Sequence, residues 1–180
     1  YIFKRDETSW IQQTKLTASD GAANDNFGVS VSINGDYIIV GADGDGNGRG
    51  SAYIFKRDET SWIQQTKLTA NDGSASDYFG YSVSISGNYV IIGASGDGGY
   101  EPEGSAYIFK RIDNSETWIK KTKLTANDSA SDDWFGGNVS ISGDYAIVGT
   151  TGDDDKGSYS GSMYVFYKFP EPEPEPEPEP

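Results

Sequence analysis

Carboxylates are the one abundant class of side chain in this sequence whose type and spacing could do chemistry. The 180 residues contain no His and no Cys, so imidazole proton shuttles, thiolate nucleophiles, disulfides and zinc sites of the Cys/His kind are excluded. Two acidic patterns remain. Asp43-Gly44-Asp45-Gly46-Asn47-Gly48 fits the first half of the calcium loop D-x-[DN]-x-[DN]-G, with oxygens at alternate positions and glycine at the bend. The twelfth position of such a loop, where a bidentate Glu belongs, is Ile54. The corresponding stretches further on are Ser95-Gly96-Asp97-Gly98-Gly99 and Thr151-Gly152-Asp153-Asp154-Asp155. Asp43, Asp45, Asn47, Asp97, Asp153 and Asp155 are therefore the candidate calcium ligands, and calcium is the one cofactor the sequence offers. The plainer reading of the same residues is as turn formers.

The second pattern is Asp20 with Asp25, Asp72 with Asp77, and Asp128 with Asp132 and Asp133. Paired carboxylates at this spacing could suit a glycosidase or a metal. Because the pair recurs along the chain, it suits a loop-fastening role better than one catalytic centre: an Asp accepting backbone N–H bonds in a turn. No residue is assigned a catalytic role.

The chain carries 28 Asp+Glu against 14 Lys+Arg, a formal net charge of −14. The five Glu of residues 170–180 supply only part of it; without them 23 acids still face 14 bases. Such a body could hardly present the basic face that a nucleic-acid partner requires. No stretch is long and apolar enough to span a membrane, and no leader-like segment opens the sequence. With 35% hydrophobic and 13% aromatic residues, there is material for a core.

The elements that must position these acids come in copies. Tyr1–Ala18 and Tyr53–Ala70 are letter-for-letter the same, a third copy begins at Tyr107 and a shortened fourth at Tyr164. Phe-Gly recurs at Phe27-Gly28, Phe79-Gly80 and Phe135-Gly136, and Trp at Trp10, Trp62 and Trp118. One unit of about fifty residues has been repeated.

Within a unit the hydrophobic period is two. Val29, Val31 and Ile33 alternate with Ser30 and Ser32, which predicts a strand with one wetter face. Asn34-Gly35, Ser86-Gly87 and Ser142-Gly143 then predict tight hairpins. Strand two follows as a continuous apolar run, such as Tyr37-Ile38-Ile39-Val40, expected to be covered on both faces. A Gly/Asp-rich loop leads to strand three (52–56, 106–110, 163–167), and strand four starts at the Trp. Four antiparallel strands per unit is the count of a propeller blade, so the chain is expected to be all-β, its Tyr, Trp and Phe markers packing the core between blades. Residues 1–169 divide into a partial blade (1–18), two blades (27–69 and 79–125) and a second partial blade (135–168).

Phe-Gly, an alternating strand, a turn, and then Ile39-Val40-Gly41-Ala42 or Ile91-Ile92-Gly93-Ala94 resemble the FG-GAP repeat, especially its bacterial and environmental variety. The third unit departs with Gly149-Thr150. Such repeats are similar to those of integrin α-chain heads, so the resemblance implies about three blades of a seven-bladed ring and an extracellular, adhesive role. Integrin-type repeats bind calcium between strands one and two. Here that place holds only two or three turn residues, too few to wrap the ion, so that site is not expected.

Thirteen strands fall short of a closed ring, which predicts open blade faces that remaining blades of the same protein, or a second copy, would cover. Residues 170–180, PEPEPEPEPEP, read as a Glu-Pro linker, an extended polyproline II rod of about 34 Å. The expected function is a non-catalytic, extracellular or cell-surface scaffold for adhesion or protein–protein interaction, meeting a protein or glycan ligand at one loop rim. The alternative is the propeller region of a secreted carboxylate-based glycan hydrolase or lyase with its active site outside this stretch.

Overall fold

Thirteen strands, all in antiparallel sheets, run through the computed structural model, which describes residues 1–167. The first pair is β1 (Ile2–Asp6) with β2 (Ser9–Thr14). The next sheet has the order β3 (Val31–Asn34), β4 (Tyr37–Ala42), β5 (Ser51–Asp58), β6 (Ser61–Leu68). It is repeated as β7 (Phe79–Ser86), β8 (Tyr89–Ala94), β9 (Ser105–Arg111), β10 (Trp118–Leu124). The last sheet is β11 (Asn138–Ser142), β12 (Tyr145–Thr150), β13 (Ser162–Tyr167). Each sheet is a propeller blade or part of one. The Glu-Pro segment lies outside the described residues.

The hairpins form one residue later than the dipeptides suggest. Asn34 pairs with Tyr37 and Ser86 with Tyr89, so the loops are Gly35-Asp36 and Gly87-Asn88. Of these loop residues only the glycines take positive φ, 57° and 56°, as in a hairpin turn with Gly at its first position. Asp36 and Asn88 are free to point back along strand three, where Arg57 Nε donates to Asp36 Oδ1 at 2.8 Å and an Arg111 guanidinium nitrogen to Asn88 Oδ1 at 2.6 Å.

Strand two lies at the centre of the core. Val90, Ile91 and Ile92 of β8 are all fully buried. Ile92 shares a cluster with Ile39 and Ile54 of the preceding blade, while Ile91 and Ile108 pack with Ile141, Ala146 and Val148 of the following one. Stacked blades thus cover both faces of the middle sheet. On β3 the same positions are open: Val31 and Ile33 are 66% and 60% exposed where Val83 and Ile85 are 7% and 5%, whereas on β11 Ile141 is again buried.

The serines of strand one correct the expectation of a wetter face. Ser32 Oγ accepts the Ile85 N–H at 3.2 Å, Ser84 Oγ accepts the Ile141 N–H at 3.2 Å, and Ser82 Oγ donates to the Gly136 carbonyl at 2.7 Å. These hydroxyls cross the junction and satisfy backbone groups that the ladder leaves over, as buried polar groups must be satisfied. Alternating Ser therefore marks a seam between blades.

The two halves of the repeat motif meet at the same seam. A Cβ on Gly41 would fall inside the carbonyl of Gly80, and one on Gly93 inside that of Gly136. Gly80 and Gly136 themselves have φ of 94° and 92°, a backbone open to glycine and strained for other residues. Close backbone approach between strand two of one blade and the Phe-Gly of the next explains why both carry glycine.

Candidate functional site

The acidic residues gather along one rim, where loops between strands two and three of a blade meet the loops joining successive blades. The second Asp of each pair fastens its own loop. Asp25 Oδ2 accepts the Ala22 N–H at 2.6 Å, Asp77 Oδ2 the Ser74 N–H at 2.6 Å, and Asp133 Oδ2 the Ala130 N–H at 2.7 Å. This is the turn role the recurrence implied, and in the third unit Asp133, not Asp132, holds it. All three are buried. Burial pushes the Asp77 carboxyl up from its ordinary range, against the hydrogen bond from Ser74, and the nearby Asp97 charge adds to the rise.

The first Asp of each pair reaches the blade that follows it. Lys67, on β6, places its ammonium 2.7 Å from Asp20 Oδ2 and 2.6 Å from Asp45 Oδ2, above the Tyr53 ring at 5.3 Å. Lys123, on β10, repeats the arrangement with Asp72 at 3.0 Å, Asp97 at 2.6 Å and Tyr107 at 5.3 Å. Burial of each ammonium works to lower its pKa, yet the two carboxylates outweigh it and hold both lysines above the ordinary value. The Lys67 hydrogen bond holds Asp20 below its usual range. At Asp72, burial opposes Lys123 and the lysine prevails, so this carboxyl too is lowered.

In the third unit Tyr164 donates to Asp128 Oδ1 at 2.7 Å and lies 3.4 Å from Asp153 Oδ2. No lysine joins them among the described residues. Burial first, and then Asp128, push the Tyr164 hydroxyl upward in pKa.

The six candidate calcium ligands are thus spread over different partners. Asp43 Oδ1 accepts from Asn26 Nδ2 at 3.0 Å. Asp45 is bound to Lys67 and to the Ser51 hydroxyl. Asn47 sits in a four-residue helical turn, Asp45–Gly48, whose interior is left-handed, with φ of 65° at Asn47 itself. Asp97 serves Lys123 and Tyr107. Asp153 Oδ1 accepts the Asp155 N–H at 3.0 Å, a contact that lowers the Asp153 carboxyl. Among the described residues no three acidic side chains converge as a cation shell would require. The contacts these acids make among the described residues are ion pairs with lysine, turn caps and side-chain hydrogen bonds.

The rim also carries aromatic side chains that the repeat pattern passed over. The residue before Phe-Gly is left-handed in every unit, with φ of 57° at Asn26, 56° at Tyr78 and 55° at Trp134. Asparagine tolerates that conformation; for a bulky side chain it costs about 1–2 kcal/mol. Tyr78 is nevertheless 41% exposed, so its own burial does little to offset the strain. Departure from the repeat, Tyr or Trp where the first unit has Asn, was the available signal.

A protein-family model described as the FG-GAP repeat matches three consecutive segments, residues 10–55, 62–109 and 118–166. No curated relative matches the chain. Each matched segment runs from strand four of one blade through Phe-Gly to strand three of the next, and the contacts of Gly41 with Gly80 and of Gly93 with Gly136 join one matched segment to the following one. The chain belongs to the FG-GAP repeat family.

Proposed function

We propose that this protein is a non-catalytic, extracellular or cell-surface propeller scaffold, which makes adhesive or protein-binding contacts through the rim of blade-connecting loops. FG-GAP repeats suggest a propeller domain of the interaction type. The observation that carries the reading is the fate of the carboxylates. Asp20 and Asp45 share Lys67, Asp72 and Asp97 share Lys123, and Asp25, Asp77 and Asp133 cap turns. The groups with the best claim to acid–base work are engaged in lysine pairs or in capping their own turns. No helix among the described residues is long and apolar enough to cross a membrane.

A turnover assay tests the proposal. Incubated with neutral and acidic polysaccharides, the protein is expected to release neither new reducing ends nor unsaturated uronic products. Time-dependent product that scales with protein and survives further purification would overturn it and favour a glycan hydrolase or lyase.

A further inference from the structure

Between the second and third blades the rim opens into a groove of about 730 Å³ lined by Tyr78, Tyr81, Tyr100 and Trp134, with Ser76 and Ser95 among its polar groups. Its size lies within the range of about 300–1,000 Å³ usual for small-ligand sites. Three separate loops or strand ends supply the rings. Tyr78 and Tyr81 flank Phe79-Gly80, Tyr100 comes from the loop between β8 and β9, and Trp134 precedes the third Phe-Gly. Tyr81 is 46% and Tyr100 100% exposed. Trp134 stacks on Tyr159, centroids 5.9 Å apart with 28° between the planes, and Tyr159 shares the left-handed backbone of Tyr78 and Trp134.

Two features specify the occupant. Every residue lining the groove is uncharged, although the chain as a whole carries 42 charged side chains and a net charge of −14. A cationic ligand would find no carboxylate in the groove to pair with, and an anionic one would have to approach an acidic body. The groove also pairs flat π faces with hydroxyls and backbone amides. A pyranose ring offers a face of C–H bonds, which lies favourably on the electron-rich face of an aromatic ring, and an equatorial fringe of hydroxyls that needs hydrogen-bonding partners. Tyr and Trp supply such contact area while losing few rotatable bonds on binding.

We propose that this groove binds a neutral glycan, with Tyr100 and Trp134 as the principal stacking platforms and Tyr78 and Tyr81 as its walls. The assignment rests on the reading of the rim as the contact surface and names its ligand class. An extended proline-rich peptide is the competing occupant, since such segments also dock on aromatic grooves. The glycan is favoured because the rings come from three separate loops or strand ends and the hydroxyls of Ser76 and Ser95 lie among them.

Isothermal titration calorimetry of the full chain against neutral hexasaccharides with β-glucose, N-acetylglucosamine, mannose or α-glucose units tests the assignment. Oligogalacturonate and a proline-rich decapeptide are run beside them. At least one neutral hexasaccharide is expected to bind with submillimolar Kd. Tyr100→Ala and Trp134→Asn are each expected to weaken it at least tenfold. Trp134→Asn also separates binding from folding: asparagine is the residue the first unit carries at this left-handed position, so this variant is expected to melt no lower than the parent while losing the ligand. The assignment is overturned if no neutral hexasaccharide binds at millimolar concentration. It is equally overturned if binding is indifferent to both substitutions, or if oligogalacturonate or the peptide alone binds. A glycan that is bound and then cleaved would refute the non-catalytic reading and leave the groove standing. Absence of both binding and cleavage would refute the groove and leave the scaffold.

Discussion

Gly93 and Gly149 occupy the same place in strand two of successive blades, yet alanine should act on them in opposite directions. A Cβ on Gly93 would fall inside van der Waals contact with the Gly136 carbonyl and the Ser82 hydroxyl. Neither can retreat freely, because Ser82 Oγ donates to that carbonyl at 2.7 Å and Gly136 is backbone at the blade junction. Losing the hydrogen bond costs about 1 kcal/mol, and forcing the blades apart adds about 1–3 kcal/mol of overpacking. Gly93→Ala should therefore destabilise the protein by about 2–4 kcal/mol, which is about 10 °C in melting temperature for a chain of this size. At Gly149 the nearest atom to a new Cβ is the Asn138 Cβ at 3.5 Å, ordinary contact, and the backbone is not left-handed. Gly149→Ala should gain about 0.5–1 kcal/mol by restricting the unfolded chain. Urea unfolding followed by tryptophan fluorescence, with circular dichroism as a second probe, gives both values. Equal effects at the two positions would refute the argument that the repeat keeps its glycines for backbone approach between blades.

Two further perturbations probe the seam. Lys123→Met keeps most of the apolar stem and removes the charge that Asp72 and Asp97 share, so it should cost about 1–2 kcal/mol at pH 7 after allowance for the half-exposed Asp72. Because Asp72 is held below its ordinary value of 3.8, the stability it contributes is complete above that pH and fades as its folded-state pKa is passed on acidification; the gap between parent and variant in denaturant titrations should narrow below about pH 4. The raised pKa of Lys123 keeps its contribution whole below the ordinary lysine value of 10.5 and lets it fade as the pH rises beyond that, so the gap should be flat between pH 5 and about 10. Ile85→Ala, at a position 5% exposed, should cost about 2–4 kcal/mol. The equivalent Ile33→Ala, at 60% exposure, should stay within about 0.5 kcal/mol. Equal losses in equilibrium unfolding would contradict the exposure difference between the blades.

The blade was legible in the sequence because its signals are local. A period of two, a glycine turn and an apolar run each act within ten residues, and β3 to β6 and β7 to β10 form where those signals lie. The turn role of Asp25 and Asp77 was legible for the same reason, since donor and acceptor are three residues apart. The junction was not. Asp20 finds Lys67, and Asp72 finds Lys123, about fifty residues on and across a blade boundary. Ser82 reads as a solvent-facing residue until the Gly136 carbonyl is placed against it. Identical letters also take different surroundings: Trp118 is 8% exposed while Trp10, at the same place in the repeat, is 69% exposed. A strand's sequence sets which side chains share a face, but the neighbouring blade decides whether that face is dry.

That distinction bears on the aromatic rim. Residues buried in a repeat junction are answerable to their neighbours, and there the copies agree: Phe79 and Phe135 are both fully buried and both pack edge-on against the Tyr of strand three, at 5.4 Å from Tyr107 and 5.5 Å from Tyr164. One residue earlier the copies disagree. The backbone there is left-handed in all three units, so the local preference is for Asn or Gly, and the first unit has Asn26. Tyr78 and Trp134 violate that preference and gain no full burial in return. The local rule is broken in the same direction at two equivalent positions, neither of them fully buried, and both rings line one uncharged groove. Such departures from local preference are where a contact made outside the chain is to be sought, which is what the glycan titration of Trp134→Asn measures.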